Sequence, residues 1–148
     1  MLTTTLKTLF RRDLEKLIQE LSQYTNESKI WHTEKGISNS AGNLALHLVG
    51  NLNTFIGLHL GDTGYVRHRE LEFSQKDVAR ATLIKMIEDT IVMIDKVMDE
   101  LTPEKVAALY PIEVFGGPIY TDHFLVHLSG HLTYHLGQVN YHRRLLDF

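Results

Sequence analysis

The chain contains no cysteine. That excludes disulfides, thiolate metal ligands and a protein-borne thiol nucleophile. Any metal must be held by His, Asp or Glu, and any thiol chemistry must use a thiol brought in from outside. The absence also fits a reducing compartment, so a cytoplasmic location is the expectation. No apolar run approaches the ~18 residues of a spanning helix, so no membrane segment is expected. Met1 to Arg12 lacks a charged head followed by a long apolar block, so no leader is expected there. Excess positive charge is missing too. The formal net charge is −3 and the basic pair Arg143-Arg144 stands alone, which argues against a nucleic-acid partner. Strand-like alternation, internal repeats and low-complexity tracts are all absent.

What is present is a chain of 148 residues, 43% hydrophobic and 22% charged. That is enough for one globular domain, residues 1–148, with a core of its own. Its nine histidines are unevenly spread. His123, His127, His131 and His135 follow one another at four-residue steps. On a helix each step advances about 6 Å and turns about 40°, so the rings form a column. Adjacent rings in such a column can close on one metal ion.

Four long helical patterns appear. The first runs from about Thr3 to Tyr24, with Leu6, Leu9, Phe10, Leu14, Leu17, Ile18 and Leu21 on one stripe. Asn26 to Ser40 reads as a loop ending in capping residues. The second helix runs from about Ala41 to Leu60, with His47 and Asn51 one turn apart inside an otherwise apolar face. Gly61-Asp62-Thr63-Gly64 ends it, and a polar stretch follows to Phe73. Ser74, with Asp77 three positions on, reads as the cap of the third helix, which continues to Leu101. Thr102-Pro103 opens a short helix to Ala108. Pro111 to Pro118 is a connector with room for a brief extended piece, and Thr121 is the expected cap of the fourth helix, Asp122 to Leu146. Four amphipathic helices of this length argue for an all-α four-helix bundle. The long loops before the third and fourth helices permit crossover connections.

A catalytic zinc-like site takes three protein ligands and keeps one position open. His131 and His135 supply two from one helix. His47 is the best third, because it alone among the remaining histidines lies in an apolar helical face. His127 is the rival partner of His131, but one ion cannot take His127 and His135 together, about 12 Å apart along the axis. His32, His59, His68, His123 and His142 read as solvated or structural. Other metalloenzyme patterns fail on the string. The His-Glu-x-x-His base is missing, since Leu132, Thr133 and Tyr134 separate the pair. No histidine has Glu three positions before it, which excludes the di-iron bundle motif. Gly50 and Gly57, with Gly130 and Gly137, are each seven apart and are expected to let the second and fourth helices approach. Gln138 and Asn51 lie on the ligand sides of their helices, where they can orient a ring or a bound substrate. His127, one turn from His131, is the weak candidate for proton transfer. Tyr134 and Tyr141 are turned off the centre.

These residues carry a resemblance. His131-x-x-x-His135-x-Gly137-Gln138 on the last helix, with a lone His on the second, resembles the DinB/YfiT-like superfamily of metal-dependent enzymes. His47-Leu48-Val49-Gly50-Asn51-Leu52, followed by Tyr65-Val66-Arg67-His68-Arg69-Glu70-Leu71-Glu72-Phe73, is similar to one branch of it. The resemblance covers most of the chain. It implies an up-down-down-up bundle, often a homodimer, with a divalent metal on His47, His131 and His135. Many members have Arg before the glycine of the last motif; here it is Leu136. Members with known activity use low-molecular-weight thiols for S-transfer or isomerisation. Thiol S-transfer on a small-molecule substrate is therefore the first expected reaction class. Metal-dependent hydrolysis is its enzymatic alternative, and a non-catalytic bundle tied by a metal is the third reading. Histidine ligands suit Zn, Ni, Fe and Cu alike.

Overall fold

A computed structural model describes residues 1–148. The chain is all-helical. Its only strand-like feature is an isolated antiparallel bridge between Leu109 and Tyr120, which flanks the connector Pro111 to Pro118 instead of lying within it. Helix α1 is Leu2–Gln23, α2 is Ala41–Leu52, α3 is the single turn His59–Gly61, and α4 is the short helix Arg69–Ser74. The long helix α5 is Arg80–Glu100, α6 is Pro103–Ala107 and α7 is Thr121–Leu146. No helix is long and apolar enough to cross a membrane.

The apolar stripes become the core. Leu6, Phe10, Leu14, Leu17 and Leu21 of α1 are buried, as are Leu83, Ile87, Ile91, Ile94 and Met98 of α5 and Phe124, Leu125, Leu128 and Leu132 of α7. Helix α2 differs in kind. Every residue from Ala41 to Leu52 is buried. It is a central helix and has no solvent face.

Helix α1 packs mainly on α5 and α7, and α2 packs on α4 most and on α5 and α7 as well. Side-chain bonds give the directions. Lys7 pairs with Asp99 at 2.8 Å and Arg11 with Asp95, so α1 and α5 run antiparallel. Thr133 donates to Asp13, and Asn140 and Arg143 to Glu20, so α1 and α7 run the same way. Asn53 donates to Thr90 at 2.9 Å while Gly61 lies against Val97, so α2 continues alongside α5 in the same direction. Phe55 meets Phe124 and His47 meets His131, so α2 and α7 are antiparallel.

Several expected boundaries move. The second helix does not run uniformly to Leu60. Asn53–Leu58 is a π-helical segment, whose wider turn interrupts the α ladder, and the Tyr110 hydroxyl donates to the Phe55 carbonyl within it at 2.6 Å. The third long helix does not start at Ser74. Ser74 closes α4 instead, because Asn43 Nδ2 in α2 donates to the carbonyls of Glu72 and Gln75 at 2.9 and 2.8 Å. Asp77, expected inside the first turn, has φ of 59°, which a helix cannot contain. Helix α5 opens at Arg80, whose backbone N–H donates to Glu27 Oε1 at 2.7 Å. The cap comes from the 3-10 turn Glu27–Trp31, inside the segment expected to be plain loop. Thr121 is the first residue of α7 and makes no side-chain cap. Ser40 and Thr102 do cap, each accepting from the N–H three residues on.

Candidate metal centre

The antiparallel contact of α2 with α7 brings His47 onto the pair His131 and His135. His47 Nε2 lies 3.3 Å from His131 Nε2, and His135 Nε2 lies 3.1 Å from the same atom. The rings meet edge to face, with His131 and His135 centroids 4.5 Å apart. These three form the group of side chains in the molecule able to hold a metal ion. His127 is not part of it. Its ring stacks on Phe124 and meets Phe115 edge-on, 6.4 Å from the His131 ring.

Hydrogen bonding on the far side of each ring fixes which nitrogens are bare. His47 Nδ1 donates to Glu72 Oε1 at 3.0 Å, leaving a lone pair on Nε2. His135 Nδ1 donates to the Gln138 carbonyl oxygen at 2.7 Å, again leaving Nε2 bare. His131 Nε2 has at most one proton to offer these two lone pairs, so one close N···N contact stays repulsive. A divalent ion removes that conflict. Tetrahedral ligands about 2.0–2.1 Å from an ion stand about 3.4 Å from one another, close to both separations here. Ligand rings must also be neutral. Burial, with His135 and His47 adding to it, pushes His131 down to about 4, and burial lowers His135 as well. His131 Nδ1 is buried without a partner. The donor set fits a divalent ion.

Glu72 completes the outer layer. It is buried, and Arg67 grips it with two bonds, Nε to Oε2 at 2.8 Å and a terminal nitrogen to Oε1 at 2.9 Å. Burial opposes its ionisation, but the bonds from His47 and Arg67 outweigh it and hold the carboxyl below its usual value. A carboxylate behind a ligand imidazole fixes the tautomer and raises the ring's basicity. Phe73 packs on the His47 ring at 4.9 Å, and the Arg69 guanidinium lies over Phe73.

Neither Glu72 nor Arg67 is among the site residues expected from the sequence, although both stand in the segment that carries the resemblance. No local pattern marks the pair, since Glu72 is buried only by the contact of α4 with α2. The glycines do not bring α2 and α7 together as expected. Gly50 makes room for Glu72 of α4 and not for α7, and Gly57 faces Met93 of α5. A Cβ on Gly130 or Gly137 would meet nothing within 4 Å. Helices α2 and α7 touch through other side chains. Of the two amides, Gln138 orients His135 as expected. Asn51 makes no bond to a ring, and its Oδ1 is buried and unpaired.

The remaining histidines are ordinary. His32 pairs with Glu34, His59 stacks on Phe55, and His68 and His123 are exposed. His142 is structural: Nε2 donates to the His32 carbonyl at 2.8 Å and Nδ1 accepts from the Tyr24 hydroxyl at 2.6 Å.

Two cavities reach the histidines. One of about 340 Å³ is lined by His47, His131 and Asn51, and one of about 380 Å³ by His135, Gln138 and Tyr134. A comparison with curated proteins returns no match. Residues 3–147 match the family described as "Protein of unknown function (DUF1572)", and the chain belongs to that family.

Proposed function

We propose that His47, His131 and His135 hold a divalent metal ion at which a small molecule reacts, in a small cytoplasmic bundle enzyme of the DinB/YfiT-like kind. The convergence of three Nε2 atoms, with the Nδ1 atoms of His47 and His135 turned away onto Glu72 and Gln138, carries this reading. A bound divalent ion supplies Lewis acidity, lowering the pKa of a coordinated water or thiol. The chain's own residues keep the rings aimed and half-shielded from solvent. His127, at the rim of the first cavity, is the group positioned to pass a proton.

Thiol-dependent S-transfer is the first reaction class. The lack of cysteine makes any thiol a cosubstrate, and separate cavities at His135 and at His47 with His131 give two reactants their own approaches. Hydrolysis is the alternative. The fold proposed is a single-domain four-helix bundle, with α1 and α7 running one way and α2 and α5 the other. The side-chain pairs along these helices support that up-down-down-up order. The protein is further taken to be a homodimer; the exposed Tyr134, Tyr141 and Leu145 on α7 supply apolar surface for one.

Elemental analysis of purified protein tests the site, expecting one divalent ion per chain. A triple variant lacking His47, His131 and His135 must lose it; metal retained there overturns the assignment. Screening low-molecular-weight thiols against electrophiles tests the reaction. His47→Ala separates catalysis from architecture: a catalytic site keeps its fold and loses turnover, whereas a structural tie loses thermal stability.

A further inference from the structure

The cavity of about 340 Å³ beside His47 and His131 has a composition that specifies more than space. Its volume is at the small end of ligand sites. Two arginines, Arg67 and Arg69, line it, and no Asp or Glu does. Arg67 is committed to Glu72. Arg69 has no ion-pair partner and spreads its guanidinium over Phe73, 5.2 Å from the ring centre. A free guanidinium at the mouth of an acid-free cavity selects an anion, preferably a planar one it can grip with two bonds.

The walls are flat and apolar. Phe55 and Phe124 meet edge to face at 5.2 Å, and Phe115 meets Phe124 at 5.8 Å. Such surfaces favour an aromatic or similarly planar body. The third element is Asn51. It is buried and lines the cavity, its side chain makes no hydrogen bond within the protein, and its Oδ1 is sealed from solvent, so the reachable end of the amide is Nδ2. An amide with no partner inside the protein is satisfied by a ligand group that can pair with it.

We propose that this cavity binds a small anion with a planar body and a further polar group, with Arg69 pairing the anionic group and the Asn51 amide bonding the polar group. The proposal names the substrate class for the metal reading and rests on it for the chemistry, while the binding determinants belong to the cavity alone.

Three probes separate the elements. Mandelate carries a phenyl ring, a carboxylate and a hydroxyl; phenylacetate lacks the hydroxyl, and benzyl alcohol lacks the charge. Calorimetric titration is done on the metal-free protein and on protein loaded with Co(II), whose stoichiometry is measured separately. The expected order of affinity is mandelate, phenylacetate, benzyl alcohol. Arg69→Gln, at an exposed position that leaves the core untouched, should weaken mandelate and phenylacetate about tenfold or more and leave benzyl alcohol unchanged. Asn51→Leu should bring mandelate down to the level of phenylacetate without altering phenylacetate itself. Equal affinity for the three probes, no binding of any, or an Arg69→Gln variant that keeps the full preference overturns the proposal, even if Co(II) binds one per chain. The expected order without Co(II) binding upholds the cavity assignment and overturns the metal reading instead.

Discussion

Gly50 lies directly beneath the Glu72 carboxylate, where a Cβ would stand 1.9 Å from Oε2. The two residues come from α2 and α4, and the bare Cα of one is the seat of the other. Glu72 reaches His47 only because that seat is empty.

Gly50→Ala should therefore displace Glu72 and loosen the His47 tautomer. Metal affinity, measured by competition with a chelator, should fall about 10–100-fold. Gly130→Ala meets open space on an exposed helix face and should leave metal affinity unchanged, while raising stability by about 0.5–1 kcal/mol. Equal effects of the two substitutions would show that Glu72 does not act through this contact.

Glu72→Gln keeps an acceptor for His47 Nδ1 but loses the charge that Arg67 grips. Its metal affinity should lie between wild type and Glu72→Ala, with Glu72→Ala also lowering thermal stability because it leaves the Arg67 guanidinium without its partner. Chelator competition and thermal denaturation on the same pair of variants give both quantities.

His142 should matter for folding and not for metal. Replacing it with Leu leaves the Tyr24 hydroxyl and the His32 carbonyl unpaired, a loss of about 2–4 kcal/mol. Tyr24→Phe removes one bond and should cost about 1 kcal/mol. Denaturant unfolding reports the first quantity and elemental analysis the second, which should stay at the wild-type value in both variants.

Three histidines, one buried and two partly buried, set a pH window. Burial lowers His131 to about 4 and lowers His135 and His142 in the same direction. In the unfolded chain each titrates near 6.5. Their native states thus bind fewer protons than the unfolded state, so stability is full above about 6.5 and is lost as pH falls through the folded values. The melting temperature of metal-free protein should be flat above pH 7 and decline between about 6.5 and about 4. His131→Gln should flatten that decline, and an unchanged slope would exclude His131 as a source of it.

How much of this was legible beforehand follows from what each feature depends on. His131 and His135 share one helix, so their spacing alone brought them together. His47 was legible because a polar ring inside an apolar face is conspicuous. Glu72 was not, because its burial depends on α4 folding back over Gly50, a tertiary event with no local period. The start of α5 failed for the same reason: the cap is Glu27, far away in sequence, while the local candidate Ser74 was already ending α4. The π segment Asn53–Leu58 carries no proline or glycine run to announce it; Gly57 alone sits within it. The long stripes of α1 and α5 were read closely because each faces one core with one side, which is what periodicity measures.

Helix α2 breaks that logic, and the break has a consequence for variation. A helix enclosed on every side offers no position at which a charged residue is harmless. A saturation scan should therefore show α2 as an unbroken block of intolerance from Ala41 to Leu52. Helix α7, with Val126, Tyr134, Tyr141 and Leu145 facing outward, should instead show a wave of tolerance repeating every three to four residues. On α2 the scan cannot tell His47 from its apolar neighbours. On α7 a half-exposed His131 and His135 that refuse substitution would stand out against their surroundings, and function would become visible there as a departure from packing.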